Sequence, residues 1–385
     1  MHRDCGRSVL QSALGSELRM EELAYWVAVS RVSGIGRVRL HRLRAHFGTL
    51  ESAWSAPADA LKQAGLDGRT VERFCEARRG ADPALELARL KQHGIEALTC
   101  ENPRYPRRLL EVSDCPAVLY VRGKLPEEEA LLLAVVGTRN PTQYGKQVAT
   151  ELVEGLVEQG VVIVSGLARG IDTVAHRETL KRGGTTLAVL ASGLDLVYPG
   201  ENLNLAQEIR LRGALVSEHP PGVKPRVESF PMRNRIMSGL SLGVLVVEAG
   251  ERSGALITAH QAVDQNREVF AVPGSVFSSQ SKGTNHLIQA GEAKLVTSPA
   301  DVLEEIGVAS CTTRPTPSTL VQGDSVQIRL LGEMDATPVH SDELARRLAL
   351  PSQDVSAALA LLELQGVVCN VGNMQYIVSR RWRTG

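Results

Sequence analysis

Short runs of consecutive apolar residues recur through the middle of the chain, at 131–136, 161–164, 185–190, 214–216, 243–247 and 268–272. Runs that are apolar at every position, not at alternate ones, predict strands buried on both faces. Between them the apolar positions fall into helical spacing over 143–159, 171–182, 202–212 and 253–266. Strand and helix in strict alternation predict a parallel sheet covered on both sides. Two further strands are expected upstream, at 95–99 and 117–121, after a helix at 83–93.

The flanks differ in pattern. Residues 1–19 show no periodicity and read as a frayed tail or an upstream start. From Glu21 to about Ala81 the pattern is helical with short loops. Within it, Val32-Ser33-Gly34-Ile35-Gly36 opens an amphipathic stretch and looks like a helix-hairpin-helix element, whose backbone N–H groups suit a phosphate. Five arginines (Arg31, Arg37, Arg39, Arg42, Arg44) and no acid lie between Ser30 and Leu50. Contact with DNA and a solvated helix face fit that charge equally well. At the other end, 309–323 is polar, proline-bearing and aperiodic, as a linker is. Beyond it, helices at 326–334, 341–348 and 352–365 and strands near 367–369 and 374–378 predict a winged helix. Its third helix carries Asp354 and Glu363 and no basic residue, which favours a protein-contacting or regulatory role over duplex binding.

The expected fold is therefore α/β. An extended Rossmann-like parallel sheet (83–308) follows a tail (1–20) and a helix-hairpin-helix or SAM-like helical domain (21–82). A linker (309–325) leads to the winged helix (326–385).

Composition narrows the chemistry by exclusion. Basic and acidic residues balance at 43 each, so net charge names no partner. The longest uncharged apolar run, 130–136, is far below the roughly 20 residues of a membrane span. With no secretory leader pattern either, a cytoplasmic location is expected. The 6 cysteines are scattered without metal-ligand or redox spacing, so neither a metal nor a disulfide framework is expected. Neither a phosphate-loop nor a dinucleotide fingerprint is present, which argues against nucleotide hydrolysis and redox chemistry.

Ligands of such sheets bind beyond the carboxyl ends of the strands. The loops expected there combine glycine with arginine: Gly137-Thr138-Arg139, with Tyr144-Gly145 one turn on; Gly166-Leu167-Ala168-Arg169-Gly170; Phe230-Pro231-Met232-Arg233-Asn234-Arg235 before the fifth strand; and Arg252-Ser253-Gly254 after it. Glycine lets backbone donors approach an oxyanion, helix N-termini add partial positive charge, and arginine binds phosphate oxygens through two donors. Several such loops side by side suit a string of phosphates, and Phe230 and Tyr144 beside arginines suit stacked bases. The candidate binding residues are thus Gly137, Arg139, Tyr144, Gly166, Arg169, Gly170, Phe230, Arg233, Asn234, Arg235, Ser253 and Gly254. Asp172 and His176 make only half a metal site; they are expected to orient the loop and pack beneath it. No catalytic group and no cofactor are expected. A polyphosphate or nucleic-acid binder and an enzyme or sensor of small nucleotides both remain open at this point.

These residues resemble the DNA-processing protein A family, DprA or Smf. The resemblance runs in fixed order through Val135-Val136-Gly137-Thr138-Arg139, Ser165-Gly166-Leu167-Ala168-Arg169-Gly170-Ile171-Asp172, Gly193-Leu194-Asp195, Phe230-Pro231, Arg233-Asn234-Arg235, Pro273-Gly274 and Gly283-Thr284-Asn285. It implies a homodimeric, non-enzymatic binder of single-stranded DNA that protects incoming DNA in natural transformation and loads the RecA recombinase. It also implies phosphate contacts at Arg139, Arg169, Arg233 and Arg235, with donors at Gly166, Gly170 and Ser253. Many relatives carry lysine where Arg169 stands. Leu287 and Ile288 are the candidates for the dimer contact, and weaker duplex contact through the N-terminal hairpin is a further expectation.

Overall fold

The computed structural model describes residues 21–307, 325–334, 339–364, 367–372 and 374–378. The expected tail and nearly all of the expected linker lie outside these residues. Internal contacts divide the chain into two units between Ser310 and Cys311.

The first unit is built on a nine-stranded sheet: β1 (Glu96–Thr99), β2 (Val118–Gly123), β3 (Leu132–Val136), β4 (Val162–Ser165), β5 (Thr186–Val189), β6 (Ala214–Ser217), β7 (Gly243–Val246), β8 (Glu268–Ala271) and β9 (Lys294–Leu295). Its strand order is β1-β2-β6-β5-β4-β3-β7-β8-β9. Strands β3 to β9 run parallel, and β2 and β1 extend the sheet antiparallel beyond β6. All five residues of β3 are buried, as its unbroken apolar run requires.

Alternate residues of the strands meet different helices. Leu133 and Val135 pack with Leu152, Leu156 and Ala175 from helices Gln143–Glu158 and Ile171–Lys181. Ala134 and Val136 pack with Ile236, Met237 and Ala259 from helices Ser229–Leu240 and Gly254–Asp264. Chain order reverses at β3, whose neighbours are β4 on one side and β7 on the other. A crevice opens at such a reversal because successive crossovers leave toward opposite sides.

Helices Arg107–Leu110, Lys282–Gln289 and Pro299–Glu305 join the expected elements of this unit, and two further elements depart from the sequence expectation. The stretch Phe230 to Arg235, expected as a loop, forms the opening turns of helix Ser229–Leu240. Pro231 hides this helix in the sequence, yet in a first turn its missing N–H costs nothing and its fixed φ suits the helix. Strand β9 has two exposed residues and no apolar signal to reveal it.

The helical region comprises 21–30, Arg37–Phe47, Leu50–Ser55, Ala58–Gln63, Gly68–Gly80 and Pro83–Gln92. Side chains of Thr49, Asp67 and Asp82 accept from backbone N–H groups at three of the helix starts. Packing does not break near residue 82. Trp26, Leu40, Leu43 and Phe74 share one apolar cluster with Tyr120, Ala188 and Leu215 of the sheet. The helical region is thus seated on the sheet's antiparallel extension.

The second unit has helices Ser325–Gly332, Ser341–Leu348 and Ser352–Leu364 with strands β10 (Val339–His340), β11 (Val368–Gly372) and β12 (Gln375–Val378). The strands pair in the order β10-β12-β11 around a core that includes Leu330, Leu344, Leu359 and Tyr376. This is a winged helix; the short β10 adds a third strand to the expected pair.

Candidate nucleic-acid interface

A cleft of about 570 Å³ lies at the sheet's reversal point, beyond the ends of β3 and β7. Gly137, Thr138 and Arg139 follow β3, Ala168 and Asp172 follow β4, and Phe230, Pro231, Arg233 and Asn234 come from the start of helix Ser229–Leu240. Gly250, Arg252, Ser253 and Gly254 follow β7 and complete the wall. Two helix N-termini therefore open onto one cavity. At helix Gly254–Asp264 the Ser253 hydroxyl accepts from Ala255 N at 3.3 Å.

The loops are held from behind by buried polar groups. The Asp172 carboxylate, at the first turn of helix Ile171–Lys181, accepts from Gly166 N at 3.1 Å and Ala168 N at 3.2 Å. Arg233 is buried beside it. Its Nη1 donates to Gly166 O at 2.5 Å and also to Val189 O, while Nε donates to Asn234 Oδ1 at 3.1 Å. Burial lowers the Arg233 pKa to about 10 against the opposing pull of Asp172. Burial raises that of Asp172 although Arg233 opposes it. For both groups loss of water outweighs the partner's attraction. Beneath them, His176 Nδ1 lies 2.8 Å from Thr186 Oγ1, whose hydroxyl donates to Ile163 O, so Nδ1 carries the proton. Burial, reinforced by Arg233, lowers the His176 pKa to about 3. The imidazole is neutral and structural.

Glycine is required where the loops touch. Gly170 has φ +79°, and a Cβ there would overlap Thr138 O. A Cβ at Gly145 would overlap the carboxylate of Glu248, which is buried and accepts from Thr142 N at 2.9 Å and Thr142 Oγ1 at 2.7 Å.

The cleft's exposed cations are Arg139 and Arg252, and neither is in an ion pair among the described residues. The Arg139 guanidinium stands over the Phe230 ring at 5.3 Å, and Tyr198 lies 5.9 Å from that ring. Cation, aromatic face and helix N-termini in one crevice can bind a phosphate beside a stacked base.

Of the twelve candidate residues, Gly137, Arg139, Phe230, Arg233, Asn234, Ser253 and Gly254 line this cleft. Gly166 and Gly170 shape its loops. The other three face elsewhere. Arg169 is held by both oxygens of Glu201, at 3.0 and 2.9 Å. Arg235 pairs with Glu218 at 2.5 Å and Asp114 at 3.1 Å, away from the cleft, in a groove shared with Arg37 and Met232. Tyr144 borders a separate depression and donates to Pro273 O at 2.7 Å. Arg252 also lines the cleft and was not among the candidates, although its place between Gly250 and Gly254 is the available signal. Gln280, from a loop far along the chain, had none. Of the two dimer candidates, Leu287 is buried in the apolar core and Ile288 is half-buried against it.

A family model described as DNA recombination-mediator protein A matches residues 96–307, and one described as DprA winged helix domain matches residues 314–373. Protein Smf of Synechocystis is 37% identical over 392 residues, spanning 92% of this chain and 98% of its own. The DNA processing protein DprA of Bacillus subtilis is 48% identical over 249 residues, 64% of this chain and 82% of its own. The X-ray structure of DNA processing protein A from Streptococcus pneumoniae superposes with a TM-score of 0.64 at 36% identity. That match covers 74% of this chain and 97% of the solved one.

Proposed function

The chain belongs to the DNA recombination-mediator protein A family, and on that premise we propose that it binds single-stranded DNA in the cleft between β3 and β7. Arg139 standing over Phe230 at the mouth of the cleft carries this reading, since it sets a phosphate ligand against a stacking surface. Arg252, on the loop after β7, supplies a second phosphate ligand, and the two helix N-termini supply backbone donors. Arg233, buried and held by the carbonyls of Gly166 and Val189, fixes the floor of the site and does not itself move to meet the strand.

The wider role follows the family resemblance: protection of incoming DNA in natural transformation, loading of RecA, action as a homodimer, and no catalysis. It needs a protein that works in the cytoplasm. No helix of the described residues is long and apolar enough to cross a membrane.

Fluorescence anisotropy of a labelled oligonucleotide, single-stranded and then duplex, at two salt concentrations tests this. Strong preference for the single strand with marked salt sensitivity is the expected result. Arg139→Ala should lower the log–log salt slope by about 0.7, the share of one neutralised phosphate on a single strand. Equal binding of duplex, or an Arg139→Ala protein with unchanged affinity and slope, would refute the assignment. Saturable binding of a free nucleotide in place of DNA would establish a small-nucleotide enzyme or sensor instead.

A further inference from the structure

The loop that joins β8 to helix Lys282–Gln289 holds a phenylalanine out in solvent. Phe277 is 97% exposed and its neighbour Val276 76%. The chain has only 5 phenylalanines, and Phe277 forgoes the burial that Phe74 and Phe270 obtain in full. No aromatic ring packs on it among the described residues.

The exposure is built in. Gly274 is clasped through both backbone groups by the Asn285 side chain, N to Oδ1 and Nδ2 to O, each at 3.0 Å. Ser278 N donates to Ser275 O and Ser281 N to Ser278 O, and the Ser275 hydroxyl accepts from Phe277 N at 3.3 Å. The same loop reaches the cleft. Gln280 lines it beside Gly250 and Arg252, and Ser279 O lies against Gly250.

We propose that Phe277 is a stacking platform for a nucleobase of a strand that leaves the cleft past Arg252 and Gln280. This rests on the reading of the cleft as a single-strand site. Single-strand tracks alternate cationic and aromatic stations because phosphate and base alternate along the ligand. Phe230 with Arg139 is one such station, and Phe277, on the loop whose Gln280 lines the cleft with Arg252, supplies the next. A base is the occupant that fits, since it brings a π-face to a lone ring while its phosphate stays with the arginine.

The test uses the full chain with oligothymidylates of about 6 and about 20 nucleotides, short and long against the site sizes usual for such grooves. Phe277→Ala should weaken binding of the longer strand about 5- to 100-fold, the range for removing one base-stacking ring, and leave the shorter one unchanged. Its exposed position makes misfolding no obstacle, and Phe277→Trp gives an independent reading: its fluorescence should be quenched when the longer strand binds. Unchanged affinity for the longer strand with an unquenched tryptophan would overturn the proposal, while weaker binding by Arg139→Ala in the same assay would leave the cleft reading standing. Altered sedimentation of Phe277→Ala with unaltered DNA affinity would overturn it too, assigning the ring to an interface between copies.

Discussion

The guanidinium of Arg233 fills the space that a side chain on residue 166 would need. Its Nη1 lies 2.5 Å from Gly166 O, and a Cβ built on Gly166 would overlap the guanidinium itself. Residues 67 positions apart are therefore fitted to each other at the floor of the cleft, one by having no side chain and the other by having a planar one. Asp172 completes the arrangement by accepting from Gly166 N.

Gly166→Ala should accordingly act through Arg233. The buried guanidinium cannot swing away without losing its carbonyl partners, so the substitution should cost about 1–3 kcal/mol, as overpacking of a tight core does. Urea denaturation measures this, and a variant as stable as wild type would show that the floor yields. Asp172→Ala should also cost about 1–3 kcal/mol, because it leaves the Gly166 and Ala168 N–H groups without their acceptor.

Acid should weaken the fold through His176. Its folded pKa, about 3, lies below the ordinary value of 6.5, so the unfolded chain takes up the proton first. Stability from this group is complete above pH 6.5 and is lost as pH falls toward 3. At pH 5 the loss should be about 2 kcal/mol. Asp172 shifts the opposite way and is common to both proteins when wild type is compared with His176→Gln. Unfolding midpoints at pH 7 and pH 5 should differ less in the variant than in wild type; an identical difference in both would sink the assignment.

The arginines should rank by their present partners. Arg139→Ala and Arg252→Ala remove cations that face the cleft, and each should lower the salt slope by about 0.7. Arg169→Ala should do less, because Glu201 already occupies that guanidinium at 2.9 and 3.0 Å. Glu201→Gln should release it and raise affinity severalfold. Titrations at several salt concentrations read all four, and a slope for Arg169→Ala as reduced as that for Arg139→Ala would contradict the ranking.

Gly145 and Glu248 should be coupled. Gly145→Ala overlaps the Glu248 carboxylate, and Glu248→Ala strips Thr142 of the acceptor for both its N–H and its hydroxyl. Each single change should cost about 1–3 kcal/mol. The double variant should cost less than their sum, since the alanine at 145 then enters space already vacated. Additive costs in a double-mutant cycle would show that the two do not touch.

The strands and helices of the central sheet were legible because burial on both faces leaves unbroken apolar runs, as in Leu132–Val136, and because helix Gln143–Glu158 carries its own cap in Thr142. The glycine-arginine loops were legible for the same local reason: a tight turn into a helix needs glycine whatever its distant neighbours are. What each arginine does was not. Arg233 and Arg235 are two residues apart in one motif, yet the helix turns them about 200° apart, toward Gly166 in one case and Glu218 in the other. Arg169 is captured by Glu201 across 32 residues, and Leu287 is drawn into the core by a sheet that the sequence around it does not describe. Local pattern determined the elements and the positions where backbone could approach an anion. Only the tertiary fold decided which charges stayed free to meet one, because a guanidinium's role depends on which carboxylate or carbonyl reaches it first, and those partners come from other strands.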